Sequence, residues 1–259
     1  MTVPTGPLTE ARTPGGRPAG LAEIPGRIEA VRRRIEEAVR RCGRQTSEIT
    51  LIAVCKTVEP ERVRCALQHG LRHLGENRVQ EAEEKISALA GAPDGGRPVW
   101  HLVGHLQSNK AARAAVLFDW IHGVDSAALG ERLERAAFAA GRGLDILLQV
   151  NLSGEPSKSG VREEEAPETA RRLADLGAAR LRGLMVIPAP AADPQASRAG
   201  FRRLRELRDA IQNGPGFPRR LDVLSMGMTS DFEVAIEEGA THIRVGRAIF
   251  GDRPAAGRA

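Results

Sequence analysis

A primary amine just beyond a short apolar run is the first group in the sequence suited to covalent chemistry. The apolar run is Leu51-Ile52-Ala53-Val54, and Lys56 follows it after a single intervening residue. Only four of the 38 basic residues are Lys, so Arg supplies almost every other cation of the chain. An amine can condense with a carbonyl group to form a Schiff base, and Arg cannot replace it in that reaction. Lys56 is therefore the candidate nucleophile.

Two later segments combine small residues with hydroxyl groups or cations, as phosphate-binding loops do. The first is Ser225-Met226-Gly227-Met228-Thr229-Ser230, and the second is Arg244-Val245-Gly246-Arg247. Backbone N–H groups, small hydroxyls and guanidinium groups all bind anions well when they converge. Either segment alone is also compatible with ordinary turn and cap residues. Because both follow strand-like runs, the pair predicts a phosphate site.

An amine and a phosphate site in one cavity fit two kinds of protein. One kind binds pyridoxal 5′-phosphate as a Schiff base on the lysine. The other is an aldolase that forms a Schiff base with a phosphorylated sugar and needs no cofactor. Both kinds require the same residue types at the same places, so the spacing alone leaves the choice open.

Short apolar strands alternate with helical patterns along nearly the whole chain. A leading helix comes first, with Pro25 near its start and Gly43 after its end. About eight strands follow it, at Leu51–Val54, Arg72–Gly75, Trp100–Leu106, Trp120–Gly123, Asp145–Val150, Arg182–Ile187, Val223–Ser225 and His242–Val245. This α/β alternation predicts one (β/α)₈ TIM-type barrel with an extra N-terminal helix over residues 21–259. A doubly wound sheet is the second choice, but no Gly-x-Gly-x-x-Gly motif follows a strand.

In such a barrel, ligands bind just past the carboxyl ends of the strands. Lys56 and both small-residue segments fall at predicted strand ends, so the barrel would bring them into one cavity. The predicted fold and the predicted chemistry therefore support each other.

Seven segments of the sequence resemble the pyridoxal phosphate homeostasis family, whose barrel is similar to the N-terminal domain of bacterial alanine racemase. The segments are Ala53–Thr57, Gly75–Glu81, Trp100–Lys110, Val150–Gly160, Gly183–Met185, Leu224–Thr229 and Ile243–Gly251. Gly-His-Leu-Gln-Ser-Asn-Lys, beginning at Gly104, and Ser-Met-Gly-Met, beginning at Ser225, are the most specific motifs. The resemblance implies an alanine racemase-like barrel that binds pyridoxal phosphate, or PLP.

The resemblance also implies roles for individual residues. Lys56 would hold PLP as a Schiff base, with Asn77 near the cofactor. The phosphate and ring would be held by Ser225, Gly227, Thr229, Arg244, Gly246 and Arg247.

Three positions depart from the usual residues of the family. Cys55 stands where Ser is usual, Arg78 where Tyr is usual, and Arg247 where Thr or Ser is usual. Arg247 would replace a hydroxyl contact to the phosphate by a charged one. Since successive strand residues alternate in direction, Cys55 is predicted to point away from Lys56 into the core.

The function that the resemblance implies is intracellular PLP homeostasis without a turnover reaction of the protein's own. PLP would be released to other proteins, with apo forms of PLP-dependent enzymes as partners. The alternative is a PLP-dependent amino-acid racemase or another small PLP enzyme. A two-base racemase needs a second acid or base, which is a Tyr in the alanine racemases that this barrel resembles. The sequence contains no Tyr.

The composition argues against other classes of function. The net charge of +5 comes from Arg interspersed with Glu, and aromatic residues make up 3% of the chain, so nucleic-acid binding is not expected. Three Cys without a Cys-x-x-Cys pair indicate neither disulfides nor zinc and fit a reducing cytoplasm. His101 and His105 are interpreted as structural and not as zinc ligands, because no Glu lies between them.

No stretch is apolar enough for a membrane span. We expect a cytoplasmic monomer or weak dimer, with residues 1–20 forming a disordered extension.

Overall fold

The computed structural model describes residues 18–90, 97–155, 158–188 and 192–252. Its strands are β1 Thr50–Val54, β2 His73–Glu76, β3 Val99–Leu102, β4 Trp120–Val124, β5 Leu144–Asn151, β6 Val161–Arg162, β7 Ala179–Met185, β8 Val223–Met228 and β9 His242–Val245. Its α-helices are α1 Ile24–Arg41, α2 Pro60–Gln68, α3 Val79–Ala88, α4 Ala111–Leu117, α5 Ala127–Ala139, α6 Ala166–Ala174, α7 Arg198–Gln212, α8 Phe232–Glu237 and α9 Arg247–Phe250.

Eight of the strands close into a parallel barrel. Their order is β4-β3-β2-β1-β9-β8-β7-β5, and β4 pairs with β5 to complete the circle. The two-residue strand β6 pairs with β5 outside this circle. Helices follow the strands, as in other barrels of this kind. The predicted (β/α)₈ barrel is therefore confirmed.

The extra N-terminal helix is confirmed as α1. It presents an apolar stripe to the barrel, with Ile24, Ile28, Val31 and Ile35 all buried. This stripe packs against the helices that follow the last two strands, α8 and α9. The leading helix consequently lies against the part of the barrel that carries the two small-residue segments.

Three strands have an end that lies more than one residue from its predicted position. β3 ends at Leu102 instead of Leu106, because the chain at Gly104 packs onto a neighbouring loop: a Cβ at Gly104 would lie 2.4 Å from the carbonyl oxygen of Asn77. β7 begins at Ala179, three residues early. β8 continues to Met228, with a register shift against β9 after Ser225. The polar segment that begins at Ser225 therefore starts inside a strand.

The ends of the described chain meet beside the barrel. Pro18 pairs with Gly251 in an antiparallel bridge, and the Ala19 N–H donates to the carbonyl of Phe250 at 3.0 Å. Of the extension predicted over residues 1–20, residues 1–17 lie outside the described residues. Among the helices that are described, none is long and apolar enough to cross a membrane.

A glycine lets two neighbouring barrel strands approach each other closely. A Cβ added to Gly183 on β7 would lie 1.8 Å from the carbonyl oxygen of Val223 on β8. We predict that Gly183→Ala lowers the free energy of unfolding by about 1–3 kcal/mol, because the strands must separate. Urea denaturation of the variant and the wild type would measure this.

Gly200 provides a control, since no heavy atom lies within 4 Å of a Cβ built there. Gly200 belongs to α7, where Gly→Ala should stabilise by about 0.5–1 kcal/mol. Equal destabilisation by both changes would contradict the steric explanation.

Candidate functional site

A cavity of about 610 Å³ opens where several barrel strands reach their carboxyl ends. Its lining comes from β1, β8 and β9 and from the segments that follow β2, β3 and β7. The lining residues are Val54, Lys56, Thr57, Val58, Asn77, Val103, Ile187, Met228, Thr229, Ser230, Arg244, Gly246, Arg247, Phe250, Gly251 and Asp252. This is the location that the barrel architecture predicts for a ligand.

Lys56 lies two residues past the carboxyl end of β1, lines the cavity and is half-buried. Directly after it, Thr57 has a φ of 60°, and it is the only non-glycine residue with positive φ in the described ranges. A β-branched residue in this left-handed region is strained, so the surrounding contacts must hold it there. The turn at Thr57 fixes the direction in which the chain leaves Lys56.

A buried cluster of ion pairs stabilises this turn. The Lys85 ammonium donates to Glu76 Oε1 at 2.6 Å, to Glu81 Oε1 at 3.1 Å and to the carbonyl of Cys55. Glu81 also accepts the N–H of Thr57. The cluster therefore binds both the residue before Lys56 and the residue after it.

The surroundings of Lys85 favour its charged form. Burial is the largest single effect and would lower the pKa of Lys85, but Glu76, Cys55 and Glu81 together outweigh it and raise that pKa. Burial, followed by the nearby Glu76 charge, raises the pKa of the Cys55 thiol well above its usual value. Cys55 is fully buried and remains a thiol, which confirms its interpretation as a core residue.

Both small-residue segments contribute residues to the lining of the same cavity. Gly227 has a φ of 89° and lies so close to α8 that a Cβ there would be 2.5 Å from the Cβ of Ala235. The next residue is fixed by a hydrogen bond from the Met228 N–H to Asp231 Oδ1 at 2.7 Å. A Cβ at Gly246 would come within 3.1 Å of the Val54 carbonyl, so glycine lets the last strand end pass close to β1.

Arg244 contributes a buried cation to the cavity and is 4% exposed. Its Nη1 donates to Ser225 Oγ at 2.5 Å, and its Nη2 donates to the carbonyl of Val186 at 2.8 Å. Burial lowers the pKa of Arg244 to about 10, with a smaller opposing effect from Asp231. The guanidinium therefore stays protonated at neutral pH.

Six of the eight predicted site residues line this single cavity, namely Lys56, Asn77, Thr229, Arg244, Gly246 and Arg247. Ser225 and Gly227 do not line it. The Ser225 side chain is fully buried beneath Arg244, and Gly227 shapes the turn that leads to Thr229. A role of either residue in direct ligand contact stays a prediction.

Lys110 and Lys158 are not among the lining residues. Lys110 belongs to a short 3₁₀ segment, and Lys158 forms an ion pair with Glu155 at 2.6 Å. His101 is buried inside the barrel, and His105 lies 3.4 Å from Asp125 at the surface. Over the described ranges, no group of His, Cys, Asp and Glu is arranged to hold a metal ion.

Several groups around the cavity were not singled out from the sequence. Asp252 is the acidic residue of the lining, and Ile187 is 43% exposed at its edge. The cluster of Lys85 with Glu76 and Glu81 gave only one local signal, the spacing of Glu81 and Lys85 by four residues on a helix. Its contact with Cys55 depends on the tertiary fold and has no signature in the sequence.

The fold and the cavity together define a class of protein: a single (β/α)₈ barrel with a lysine, hydroxyl groups and arginines at the carboxyl ends of its strands. Comparison with known families agrees with this class. The family of the alanine racemase N-terminal domain matches residues 27–254.

Individual relatives narrow the class to one family. The pyridoxal phosphate homeostasis proteins of Pseudomonas aeruginosa and Escherichia coli K12 are 44% and 40% identical to this chain, each over 233 residues. The alignments cover 90% of this chain and 97% and 98% of those proteins. The solved structure of PipY from Synechococcus elongatus PCC7942, with PLP bound, has 40% identity and a TM-score of 0.77, and the match covers 88% of this chain and 100% of that one. The chain belongs to the pyridoxal phosphate homeostasis protein family.

The buried cluster yields a prediction about stability. Lys85→Met leaves the Glu76 carboxylate, which is fully buried, without its cation. We predict a loss of about 3–5 kcal/mol in the free energy of unfolding at neutral pH. Because burial raises the pKa of the Glu76 carboxyl above its unfolded value, this loss should shrink as the pH falls toward that unfolded value. Denaturant unfolding at several pH values would measure it.

Two further variants make this test specific. Lys110→Met is a matched control, because Lys110 lies outside the cluster, and it should change stability by no more than about 0.5 kcal/mol. Glu76→Gln/Lys85→Met should recover part of the loss, since no isolated charge stays buried. If the Lys85→Met variant were as stable as the wild type, the ion pair of Lys85 with Glu76 would not be what stabilises the turn.

Proposed function

We propose that this protein binds PLP as a Schiff base on Lys56, holds it in the cytoplasm and releases it to other proteins, so that it serves intracellular PLP homeostasis. The observation that carries the proposal is the placement of Lys56, Thr229, Gly246 and Arg247 in one cavity. The relative PipY, which has been solved with PLP bound, supports the choice of PLP over a phosphorylated sugar.

The cavity suits PLP in size and in the distribution of its polar groups. Its volume of about 610 Å³ lies in the range typical of cofactor sites. PLP supplies an aldehyde at one side of its ring and a phosphate at another. Lys56 provides an amine that can condense with the aldehyde, while Thr229, the backbone at Gly246 and the Arg247 guanidinium bind the phosphate. Asn77 lies on the Lys56 side of the cavity, where it orients the ring.

The charge of the lining favours holding the cofactor over strong catalysis. Arg244 and Arg247 bring two guanidinium groups, whereas Asp252 is the acidic residue of the described lining. A guanidinium beside the pyridine ring would disfavour protonation of the ring nitrogen, and an unprotonated ring is a weaker electron sink. PLP held in this way forms and breaks its bond to Lys56 without efficiently promoting carbanion chemistry.

The open side of the cavity supports the proposed release of PLP to other proteins. Thr57, Ser230 and Arg247 are exposed at its edge, so PLP can enter and leave past them. The proposed recipients are apo forms of PLP-dependent enzymes, and the protein acts as a monomer or weak dimer.

The first prediction concerns the covalent bond. Borohydride reduction of the PLP-loaded protein, followed by peptide mapping, should place the pyridoxyl group on Lys56. Lys56→Arg should lose the Schiff-base absorbance, because a guanidinium does not condense with the aldehyde. Lys158→Arg is the matched control and should retain it. Label on Lys110 or Lys158 in fresh protein would refute the assignment.

The second prediction separates a carrier from an amino-acid racemase. The PLP-loaded protein is incubated with each common L-amino acid in deuterated buffer, and exchange of the α-hydrogen is followed by NMR. We expect no exchange at enzymatic rates, because a ring left unprotonated beside a guanidinium is a weak electron sink. We also expect no racemisation, because the chain has no Tyr to act as a second base. Exchange on the order of one turnover per second or faster would overturn the carrier function.

A further inference from the structure

Four of the six histidines lie inside the barrel, where branched apolar side chains are usual. His101 and His122 are fully buried, and His242 is 8% exposed. His73, at the amino end of β2, lines a second cavity of about 460 Å³ at the opposite end of the barrel from Lys56. The binding groups of the PLP site do not include these imidazoles, so their presence in the core needs a separate explanation.

Three of the histidines form a continuous hydrogen-bonded chain that leads to the PLP cavity. His73 Nδ1 lies 2.9 Å from His101 Nε2, and His101 Nδ1 lies 3.0 Å from His122 Nε2. His122 Nδ1 lies 2.8 Å from Ser225 Oγ, which also accepts from Arg244 Nη1. His101 and His122 each use both ring nitrogens within this chain.

Arg244 fixes the direction of every hydrogen bond in the chain. A guanidinium can only donate, so the Ser225 oxygen accepts from Arg244, and the Ser225 hydroxyl must donate to its other described partner, His122 Nδ1. Burial, reinforced by neighbouring imidazoles, lowers the pKa values of His101 and His122 well below their usual value, so each ring carries one hydrogen. Because His122 Nδ1 accepts, the hydrogen of His122 must lie on Nε2, which donates to His101 Nδ1. His101 Nδ1 is then an acceptor, so the hydrogen of His101 lies on its Nε2.

We infer that His122 and His101, together with His73, are positioning residues for the PLP site, acting through Ser225 on the guanidinium of Arg244. The inference rests on the proposed PLP site. Arg244 is held at two points, by Ser225 Oγ and by the Val186 carbonyl. Without an acceptor at His122, the buried Ser225 hydroxyl would turn to compete for other acceptors, and Arg244 would lose a fixed partner. Ordering Arg244 in advance lowers the cost of ligand binding.

His242 supplies a matched control within the same layer. It is also a buried imidazole, with its ring centroid 6.3 Å from that of His122. Its Nδ1, however, meets Thr241 Oγ1 at 3.1 Å instead of joining the chain. If the imidazoles only filled space, replacing either His242 or His122 should weaken PLP binding equally. The positioning role predicts an effect at His122, which belongs to the chain, and none at His242.

The first experiment reads the tautomers in the ligand-free protein. Long-range ¹H–¹⁵N NMR of the imidazoles at neutral pH, assigned with single His variants, should show His122 and His101 as neutral rings with the hydrogen on Nε2. A hydrogen on Nδ1 of either ring would overturn the inference. Because no PLP is present, this result is independent of whether the proposed function is correct.

The second experiment measures PLP affinity by titration of the Schiff-base absorbance. His122→Phe should weaken binding about five- to tenfold, because one oriented hydrogen bond near a charged group is lost. His122→Gln should recover most of this, since its amide oxygen can accept from Ser225 and its N–H can donate to His101. His242→Phe should bind nearly as the wild type does. Unchanged affinity of His122→Phe, or equal losses in His122→Phe and His242→Phe, would refute the positioning role.

Discussion

The ammonium of Lys85 ties together the ends of the first two barrel strands. It donates to the Cys55 carbonyl at the end of β1 and to the Glu76 carboxylate at the end of β2, and through Glu81 it also supports the N–H of Thr57. A buried ammonium is costly unless it is well paired, and here three acceptors surround it. Because the chain on both sides of Lys56 is fixed in this way, the reactive amine is presented to the cavity by a rigid turn.

The cavity itself depends on the closure of the barrel. β1 pairs with β2 on one side and with β9 on the other, so Lys56 lies between the segment that carries Asn77 and the segment that carries Gly246. The next strand, β8, brings Thr229 to the same rim. Lys56 and Gly246, 190 positions apart in the sequence, thus line one cavity, which the closed strand order makes possible. The predominance of guanidinium groups in this lining suits a phosphate and a weakly activated ring, which agrees with a carrier more than with a catalyst.

Much of this architecture could be predicted from the sequence. The short apolar runs predicted most of the barrel strands, and the observed bounds of β1 and β9 lie within one residue of the predicted ones. The position of Lys56 in the cavity could be predicted because a primary amine just past a strand end is a typical ligand-binding group. Ser225 was harder to place. It was expected at the cavity surface, but β8 extends past it to Met228, and its side chain points into the barrel toward His122. The histidine chain was beyond prediction, since its members come from three strands that only the closed fold brings together.

The most direct test of the account is a crystal structure of the protein grown with PLP. We expect continuous electron density from Lys56 Nζ into the cofactor, with the phosphate beside Thr229, Gly246 and Arg247 and the guanidinium of Arg244 still bound to Ser225. Density that joins PLP to Lys110 or Lys158, or PLP bound outside the cavity at the strand ends with Lys56 unmodified, would contradict it.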